Sequence, residues 1–592
     1  MSNPQTVPTR KLMVQLANRF RFRYLMNLAI WTSMWALPII PGLLTRRFFD
    51  SLEAGTAGAN VATIIVIFLA YGVARLAMML MGMWNDAHMG FRLESLLRRN
   101  MIERLYALPG AQSVEHSPGE SISRFREDIE HVEEAHGWTA DTAGAIVFSA
   151  VAVVVLSSID LRMTLIVFTP LVIVIVIAER FGTRIKRYRL AARKATGAVT
   201  GAIGELFASA QSVKVAGAEA SMVAHIDGLS EHRRVLMVKD RALGAALESV
   251  FWNVLYIGTA IILILSAGSM TSGDLSLGEF ALFIYFLDYV TDAVYFIGLF
   301  ITRMKQAGVS FDRMIGFMRG SHWSELVQDR DLALRGSHPL PEISTARTAP
   351  ALETLVVSGL GYHYPGTSHG VTNVDLTVHR GDFVVITGKI GSGKTTLLRA
   401  ILGLVDATEG EVRWNGMLVR DRAAFFTPPV SAYTPQVPHL FSMSLRDNLL
   451  LGLQLGDGDL ARAAYAAALE DDILEMPNRL DTPVGPRGMR LSGGQVQRAA
   501  AARMFLREPD LLIFDDLSSA LDIRTELTLW DRLRSGNTET TSLVVSHRKP
   551  ALKMATTIVL LDEGSISAVG TVDELLKSSR LFRDLWHGTT ST

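Results

Sequence analysis

Cysteine is absent from all 592 residues, which excludes disulfides and cysteine-ligated metals and leaves the compartment unreadable from redox usage. Charge of either sign is in no excess. Lys plus Arg number 58 and Asp plus Glu number 58, a formal net charge of zero that gives no signal for a nucleic-acid partner. The N-terminal segment has no small-residue cleavage site of a secretory leader. Arg10, Lys11, Arg19, Arg21 and Arg23 instead lead into an apolar run, and this stretch reads as an interfacial elbow helix. Apolar residues are abundant. They make up 49% of a chain too long for one domain, mean hydropathy is +0.26, and the excess lies in the N-terminal half.

Six apolar stretches are long enough to span a bilayer, near Leu25–Leu44, Val61–Trp84, Thr142–Ser158, Met163–Phe181, Ser249–Met270 and Leu277–Met304. Only Ile159-Asp160-Leu161-Arg162 separates the third from the fourth, which predicts a tight hairpin at one face. Basic residues crowd the N-terminal arm and the 85–140 and 180–245 connections, whereas the loop Ser266–Ser276 has none. The bias predicts a cytoplasmic N-terminus and cytoplasmic long connections. Arg46 and Arg47 are exceptions, explained if the first helix runs on beyond the bilayer. Arg75 lies midway along the second span, and Asp288 and Asp292 lie four apart on one face of the sixth. Ionisable groups at that depth need partners or water. Arg75 and Asp288 fall at similar depth, so they either pair as a structural bridge or line a polar cavity suited to cationic cargo.

The C-terminal part carries the chemistry. Gly388-Lys389-Ile390-Gly391-Ser392-Gly393-Lys394-Thr395 fits G-x-x-x-x-G-K-[ST], a loop whose glycines let backbone N–H groups curl around phosphate oxygens. Lys394 would reach the β- and γ-phosphates and the Thr395 hydroxyl would ligate Mg²⁺. Phe383–Thr387 before the loop predicts a buried strand, and Thr395, Thr396 and the residues to Leu402 predict a helix whose N-terminus faces the phosphates. Leu511–Asp515 is a second apolar strand, delivering a carboxylate suited to holding the same Mg²⁺.

Between them stands Leu491-Ser492-Gly493-Gly494-Gln495, which resembles the signature of ATP-binding cassette (ABC) proteins. Further residues resemble that family's elements in register. Tyr364, 24 residues ahead of Gly388, looks like the aromatic that stacks on adenine; Gln436 in Tyr433-Thr434-Pro435-Gln436 looks like the residue that senses Mg²⁺ and water. Ser519-Ala520-Leu521-Asp522 resembles the D-loop, and His547 the switch histidine on the γ-phosphate. Taken singly, His547 reads equally as a strand-end histidine and Tyr364 as a surface aromatic. The resemblance implies ATP and Mg²⁺ as cofactors, with each ATP lying between one phosphate loop and a partner's Ser492–Gln495. Pro118–Arg124 and Ser212–Glu219 resemble segments around the coupling helices of exporter-type half-transporters.

The whole chain thus resembles half of an exporter: a six-helix all-α membrane domain with long cytoplasmic extensions (1–319), a linker (320–352), and an α/β phosphate-loop nucleotide-binding domain with an α-helical subdomain (353–592). The implied function is ATP-driven transport of a lipid, peptide or hydrophobic small molecule across a cell (inner or plasma) membrane. The implied partner is a second half-transporter. Two departures stand out. Where the family usually carries Glu after the Mg²⁺-holding acid, this chain has Asp516, whose carboxylate is pulled back by about 1.5 Å. Misplacement of a base by about 1 Å costs on the order of a hundredfold, so weak hydrolysis at this chain's own loop is expected. Family members with this Asp are commonly one half of a heterodimer, keeping an intact signature for a partner that carries the competent site, and the resemblance implies the same here. His547, sometimes lost in such subunits, is present and keeps a slow homodimer open. The second departure is Pro483 and Pro486, where the exporter pattern carries acids. A non-catalytic regulatory subunit and a siderophore-type importer are the alternatives.

Overall fold

The computed structural model describes residues 8–55, 61–108, 110, 118–271, 274–332, 349–407, 409–536 and 540–588. It divides into two compact units, one drawn from residues 1–102 and 118–332, the other from 103–117 and 333–592. About half of the expected linker, residues 333–348, lies outside the described residues.

The first unit is helical: α1 (Thr9–Arg19), α2 (Arg21–Ala36), α3 (Ile39–Glu53), α4 (Val61–Ala107), α5 (Pro118–Ser123), a π-turn at Arg124–Asp128, then α6 (Ile129–Ile159), α7 (Leu161–Val215), α8 (Glu219–Thr271) and α9 (Leu277–Phe317). The expected hairpin between the third and fourth spans forms at Asp160. Its backbone is extended (φ −147°, ψ 104°) and its side chain caps α7 by accepting from Met163 N at 2.9 Å. Ser276 and Glu279 form a capping box that starts α9.

Two expectations change here. The first span is not a straight helix: α2 and α3 meet at a kink at Leu37–Pro38, both still in helical φ/ψ, where proline has no N–H to donate and crowds the preceding turn. And Arg75 does not bridge to Asp288. Its Nη1 donates to the hydroxyls of Tyr71 (3.0 Å) and Tyr289 (3.5 Å), and no Arg75–Asp288 ion pair occurs among the described residues. Asp288 instead sits exposed beside Tyr289 on α9.

Arg46 also finds its explanation. Nη2 donates to Glu279 Oε1 at 2.7 Å, with Asp50 Oδ2 3.7 Å from Nε, so the charge is compensated by two carboxylates. α9 seats closely there. Gly278 N donates to Asp50 Oδ1 (3.2 Å), and a Cβ on Gly278 would lie 2.1 Å from Arg46 O.

Among the described residues, four helical stretches are long and apolar enough to cross a membrane: Arg21–Glu53, Ala62–Ala107, Glu120–Ile159 and Leu277–Phe317. Shorter apolar helices, Leu161–Pro170 and Tyr256–Met270, fall within the fourth and fifth predicted spans, where many side chains lie outside the description. α6 and α9 pack through Phe148, Leu282, Phe283 and Phe286, with Phe148 and Phe286 edge-to-face at 5.7 Å. Much of α4 keeps its apolar side chains exposed (Ile65, Val66, Leu69, Val73, Leu76, Leu80), a surface suited to lipid or a second chain.

The second unit carries two sheets. A four-stranded antiparallel sheet runs in the order β2 (Gly370–His379), β1 (Thr354–His363), β4 (Glu409–Trp414), β5 (Met417–Leu418). A six-stranded sheet runs β10 (Ser565–Gly570), β9 (Thr557–Asp562), β3 (Phe383–Gly388), β8 (Thr541–Val545), β7 (Leu511–Asp515), β6 (Ser431–Thr434), parallel except for the β10 edge. Every residue of β7 and β8 is buried, as a strand covered on both faces requires. Each apolar side chain so buried contributes about 1.5–3 kcal/mol. The register is tight: Ile386 and Asp515 both align with Val545, so three carboxyl ends come level.

Candidate nucleotide site

Those level ends position the site. In an open parallel sheet, ligands bind beyond the carboxyl ends of the strands. Here β3 gives way to the phosphate loop, β8 to His547, β7 to Asp515 and Asp516, and β6 to Gln436, on four adjacent strands.

The loop curls from Gly388 to α10 (Lys394–Ile401). Gly391 and Gly393 have φ of +82° and +97°, conformations that L side chains resist, and a Cβ on Gly393 would meet Gly370 O at 2.8 Å. Lys389 and Ile390 form the tip, Ile390 being 90% exposed and Lys389 3.5 Å from Asp562. Inside the loop, Lys394 Nζ donates to Gly388 O (2.9 Å) and Lys389 O (2.7 Å), so the ammonium is folded over the cradle. Burial lowers its pKa, against the attraction of Asp516 and Asp515. Ser392 Oγ is buried without a partner, as a hydroxyl prepared for a phosphate oxygen would be. Thr396 is buried in the first turn of α10.

Thr395 Oγ1 donates to Asp515 Oδ1 at 2.9 Å, which brings together the hydroxyl and carboxylate expected at Mg²⁺. Asp515 Oδ2 accepts from Tyr433 OH at 3.2 Å. Burial raises the Asp515 pKa above the usual carboxylate range, and those two hydrogen bonds work against it. Among the described residues no group of three or more His, Cys, Asp or Glu is placed to hold a metal ion by itself, so a cation here would lean on phosphate oxygens as well as on Thr395 and Asp515.

Asp516 is the strained member. Its φ is +53°, a region Asp tolerates better than most residues, and its N donates to Val545 O at 3.1 Å. Oδ2 accepts from Gln436 Nε2 at 3.3 Å, while Oδ1 is buried with no partner. Burial raises its pKa. The pull of His547, Gln436, Arg548 and Lys394 opposes the rise, which places His547 within electrostatic reach of the carboxylate. Tyr364 follows β1; its N donates to His369 O (3.0 Å), and its ring lies edge-to-face with Tyr362 at 5.2 Å.

The signature stands apart. Ser492 caps the helix Gly493–Phe505, accepting from Gln495 N (3.3 Å) while Gln495 Oε1 accepts from Ser492 N (2.9 Å). Ser492 and Gly493 are exposed and Gly494 is buried. None of the hydrogen bonds of Ser492–Gln495 reaches the phosphate loop of the same chain. Gln495 Nε2 donates instead to Asp472 Oδ1 (2.9 Å).

Sequence reasoning missed Tyr433, which orients Asp515, and Gln497 and Arg548, which bind the Ser519–Leu521 backbone. Tyr433 was detectable as a hydroxyl near the end of a strand beside the acid-bearing one. Gln497 and Arg548 had no such signal, because their partners, main-chain and side-chain, lie more than twenty residues away in sequence.

Comparisons with known proteins agree. Residues 371–519 match the ABC transporter family and residues 28–294 the ABC transporter transmembrane region. The chain is 26% identical over 590 residues to the multidrug resistance-like ATP-binding protein MdlA of Escherichia coli (strain K12), covering 97% of this chain and 96% of that one. It is 26% identical over 558 residues to an ATP-dependent lipid A-core flippase of Thiobacillus denitrificans, covering 93% and 92%. A bacterial Atm1-family ABC exporter solved with ATP bound superposes with a TM-score of 0.79, at 19% identity, over 97% of this chain and 100% of that one. With a transmembrane region followed by an ATP-binding cassette on one chain, this protein is an exporter-type half-transporter of the ABC family.

Proposed function

We propose that the chain is one half of an ATP-driven exporter or flippase for a lipid or other hydrophobic molecule, and that its own ATP site binds well but hydrolyses slowly. The observation that carries the reading is the separation within one chain of a complete phosphate cradle from an exposed, intact signature. A phosphate cradle and an exposed signature-helix N-terminus that make no hydrogen bond to each other among the described residues complement each other across two chains. Thr395 and Asp515 would hold Mg²⁺, which supplies charge neutralisation at the phosphates when bound. Lys394 would lie against the transferring phosphate, Tyr364 against the base, and His547 and Gln436 beside the attacking water. The arms rich in Lys and Arg support a cytoplasmic N-terminus and cassette in a cell membrane.

Asp516 supports the heterodimer. Oδ1 is buried with no partner among the described residues and Oδ2 accepts from Gln436, and the carboxylate of Asp reaches about 1.5 Å less far than that of Glu would. The retained His547 is the specific observation favouring the second reading, a slow homodimer. Turnover by the chain expressed alone separates the two: strong ATP hydrolysis lost in Lys394→Ala supports the homodimer, and ATP binding without turnover supports the heterodimer. Cargo class is tested by adding lipids, peptides and hydrophobic small molecules to the chain in nanodiscs. A transported class raises the thermal midpoint and alters nucleotide affinity, whereas no response to any class counts against the transport reading.

A further inference from the structure

The amino ends of the central strands border a cavity of about 810 Å³, at the end of the sheet away from the phosphate loop. Leu512 and Thr541 line it at the starts of β7 and β8. The site acids leave the other end of β7, about 13 Å along the strand at 3.3 Å per residue. Leu453, Ala463, Ala466, Phe505, Leu506 and Leu533 supply an apolar wall. They come from the end of the signature helix, the helices Asp457–Ala466 and Ile523–Gly536, and the chain before them. A cavity of this size takes a drug-sized molecule and is far larger than a bare inorganic ion.

The rim is charged, with Arg380, Arg462, Arg507 and Arg532 set against Asp459, Glu508 and Asp510. Most of these groups are already engaged. Arg462 bridges to Asp459, and Arg532 bridges to Glu470 at 2.6 Å with its guanidinium 3.9 Å from the Tyr465 ring centre. Arg380 and Asp510 have partners of their own, and Glu508 is exposed to water that screens it. Arg507 differs. Its Nη1 donates to Arg503 O (2.7 Å) and Leu449 O (3.4 Å), and its Nη2 to Leu450 O (3.2 Å). Those contacts anchor it on the carboxyl end of the helix Leu445–Leu450 and use three of its five N–H donors. The Nε–H and one Nη2–H have no partner among the described residues. Nor does any carboxylate pair there with Arg507 or with Arg503 one turn earlier, whose partners are His439 O and both oxygens of Asn448. Burial lowers the pKa of both guanidinium groups, Arg503 to about 10 with Arg507 as the second cause. Arg507 thus brings to an apolar cavity a charge without an acid and two spare donors, which suit the oxygens of a carboxylate or phosphate.

We propose that this cavity is a second ligand site of the cassette, remote from the phosphate loop, for a small amphiphilic anion: a carboxylate or phosphate group held by Arg507, on an apolar body lying against Phe505, Leu512 and Leu533. The charge selects the head group, and the volume requires the body. The site stands independently of the reading of the phosphate loop and of the cargo.

The test is calorimetric binding to the full-length chain in nanodiscs, with the thermal midpoint as a second readout. The probes are 4-phenylbutyrate, 4-phenylbutyl phosphate, the uncharged 4-phenylbutanol and inorganic phosphate, each titrated with and without saturating MgATP. At least one of the two amphiphilic anions should bind, to the same extent with and without MgATP, and raise the thermal midpoint. The tighter of the two identifies the head group. The alcohol and inorganic phosphate should bind at least about tenfold more weakly, lacking the charge-assisted contact or the apolar body. Arg507→Gln should weaken anion binding at least about tenfold with MgATP affinity unchanged. Because Arg507 also anchors a helix end, Ala466→Leu supplies an independent variant that fills the cavity, keeps every charge and should abolish binding. Should Arg507→Gln not fold, Ala466→Leu alone decides. Anion binding that MgATP displaces, that persists undiminished in either variant, or that the alcohol or inorganic phosphate matches overturns the proposal. So does failure of both amphiphilic anions to bind the folded chain.

Discussion

Lengthening Asp516 by one methylene should awaken the site. In Asp516→Glu the carboxylate moves outward by about 1.5 Å. At present Oδ2 accepts from Gln436 Nε2 at 3.3 Å and Oδ1 is buried with no hydrogen-bond partner among the described residues. The longer side chain can clear the end of β7 and reach a water held by Gln436 and His547. A correction of that size corresponds to about a hundredfold in rate, or about 2.7 kcal/mol of barrier at 1.36 kcal/mol per tenfold. A modest cost accompanies it. Asp tolerates the φ of +53° better than Glu, so the variant should lose up to about 1 kcal/mol of stability. The assay is ATP turnover by the full-length chain expressed alone and purified in detergent, with Lys394→Ala as the blank. The expected result is near-blank turnover for the unmodified chain and a rise of about two orders of magnitude for Asp516→Glu. Turnover by the unmodified chain equal to that of Asp516→Glu would refute the geometric argument.

Lys394→Ala removes the ammonium folded over the loop, and equilibrium ATP binding should weaken by at least about tenfold, since a charge-assisted contact is worth about 1.5–3 kcal/mol. Gly278→Ala places a Cβ 2.1 Å from Arg46 O, and thermal unfolding should show a loss of about 1–3 kcal/mol, the cost of overpacking. The raised pKa of Asp516 gives a pH signature in the nucleotide-free chain. A carboxyl whose folded pKa exceeds its ordinary 3.8 favours the folded state below 3.8, and that contribution is lost as pH rises through the shifted value. Asp516→Asn removes the penalty, so its advantage in thermal midpoint should be absent in acid and grow toward neutral pH. An advantage constant across pH would contradict the assignment.

Much of this site was legible because phosphate binding demands fixed spacing along the chain. The glycines, Lys394 and Thr395 are contiguous, and the strand before them and the helix after them are found at Phe383–Gly388 and Lys394–Ile401. The kink at Pro38 was present in the sequence but outweighed by unbroken hydropathy across it. The Arg75–Asp288 pairing failed for another reason. Equal depth along two helices fixes height but not azimuth, and the phenols of Tyr71 and Tyr289 stand nearer the guanidinium. Gln497 and Arg548 were invisible because each acts on atoms far away in sequence, which periodicity and motif cannot reveal, while Tyr433 left only the weaker sign of a hydroxyl near a strand end.

ATP bound at this phosphate loop should move a molecule across a membrane. The decisive measurement uses proteoliposomes bearing the Asp516→Glu chain with cassettes outward, loaded with a fluorescent lipid and followed by a membrane-impermeant quencher. Lipid movement should require MgATP and vanish when Lys394→Ala is added. ATP hydrolysis without nucleotide-dependent movement of this or any other hydrophobic probe would contradict ATP-driven transport.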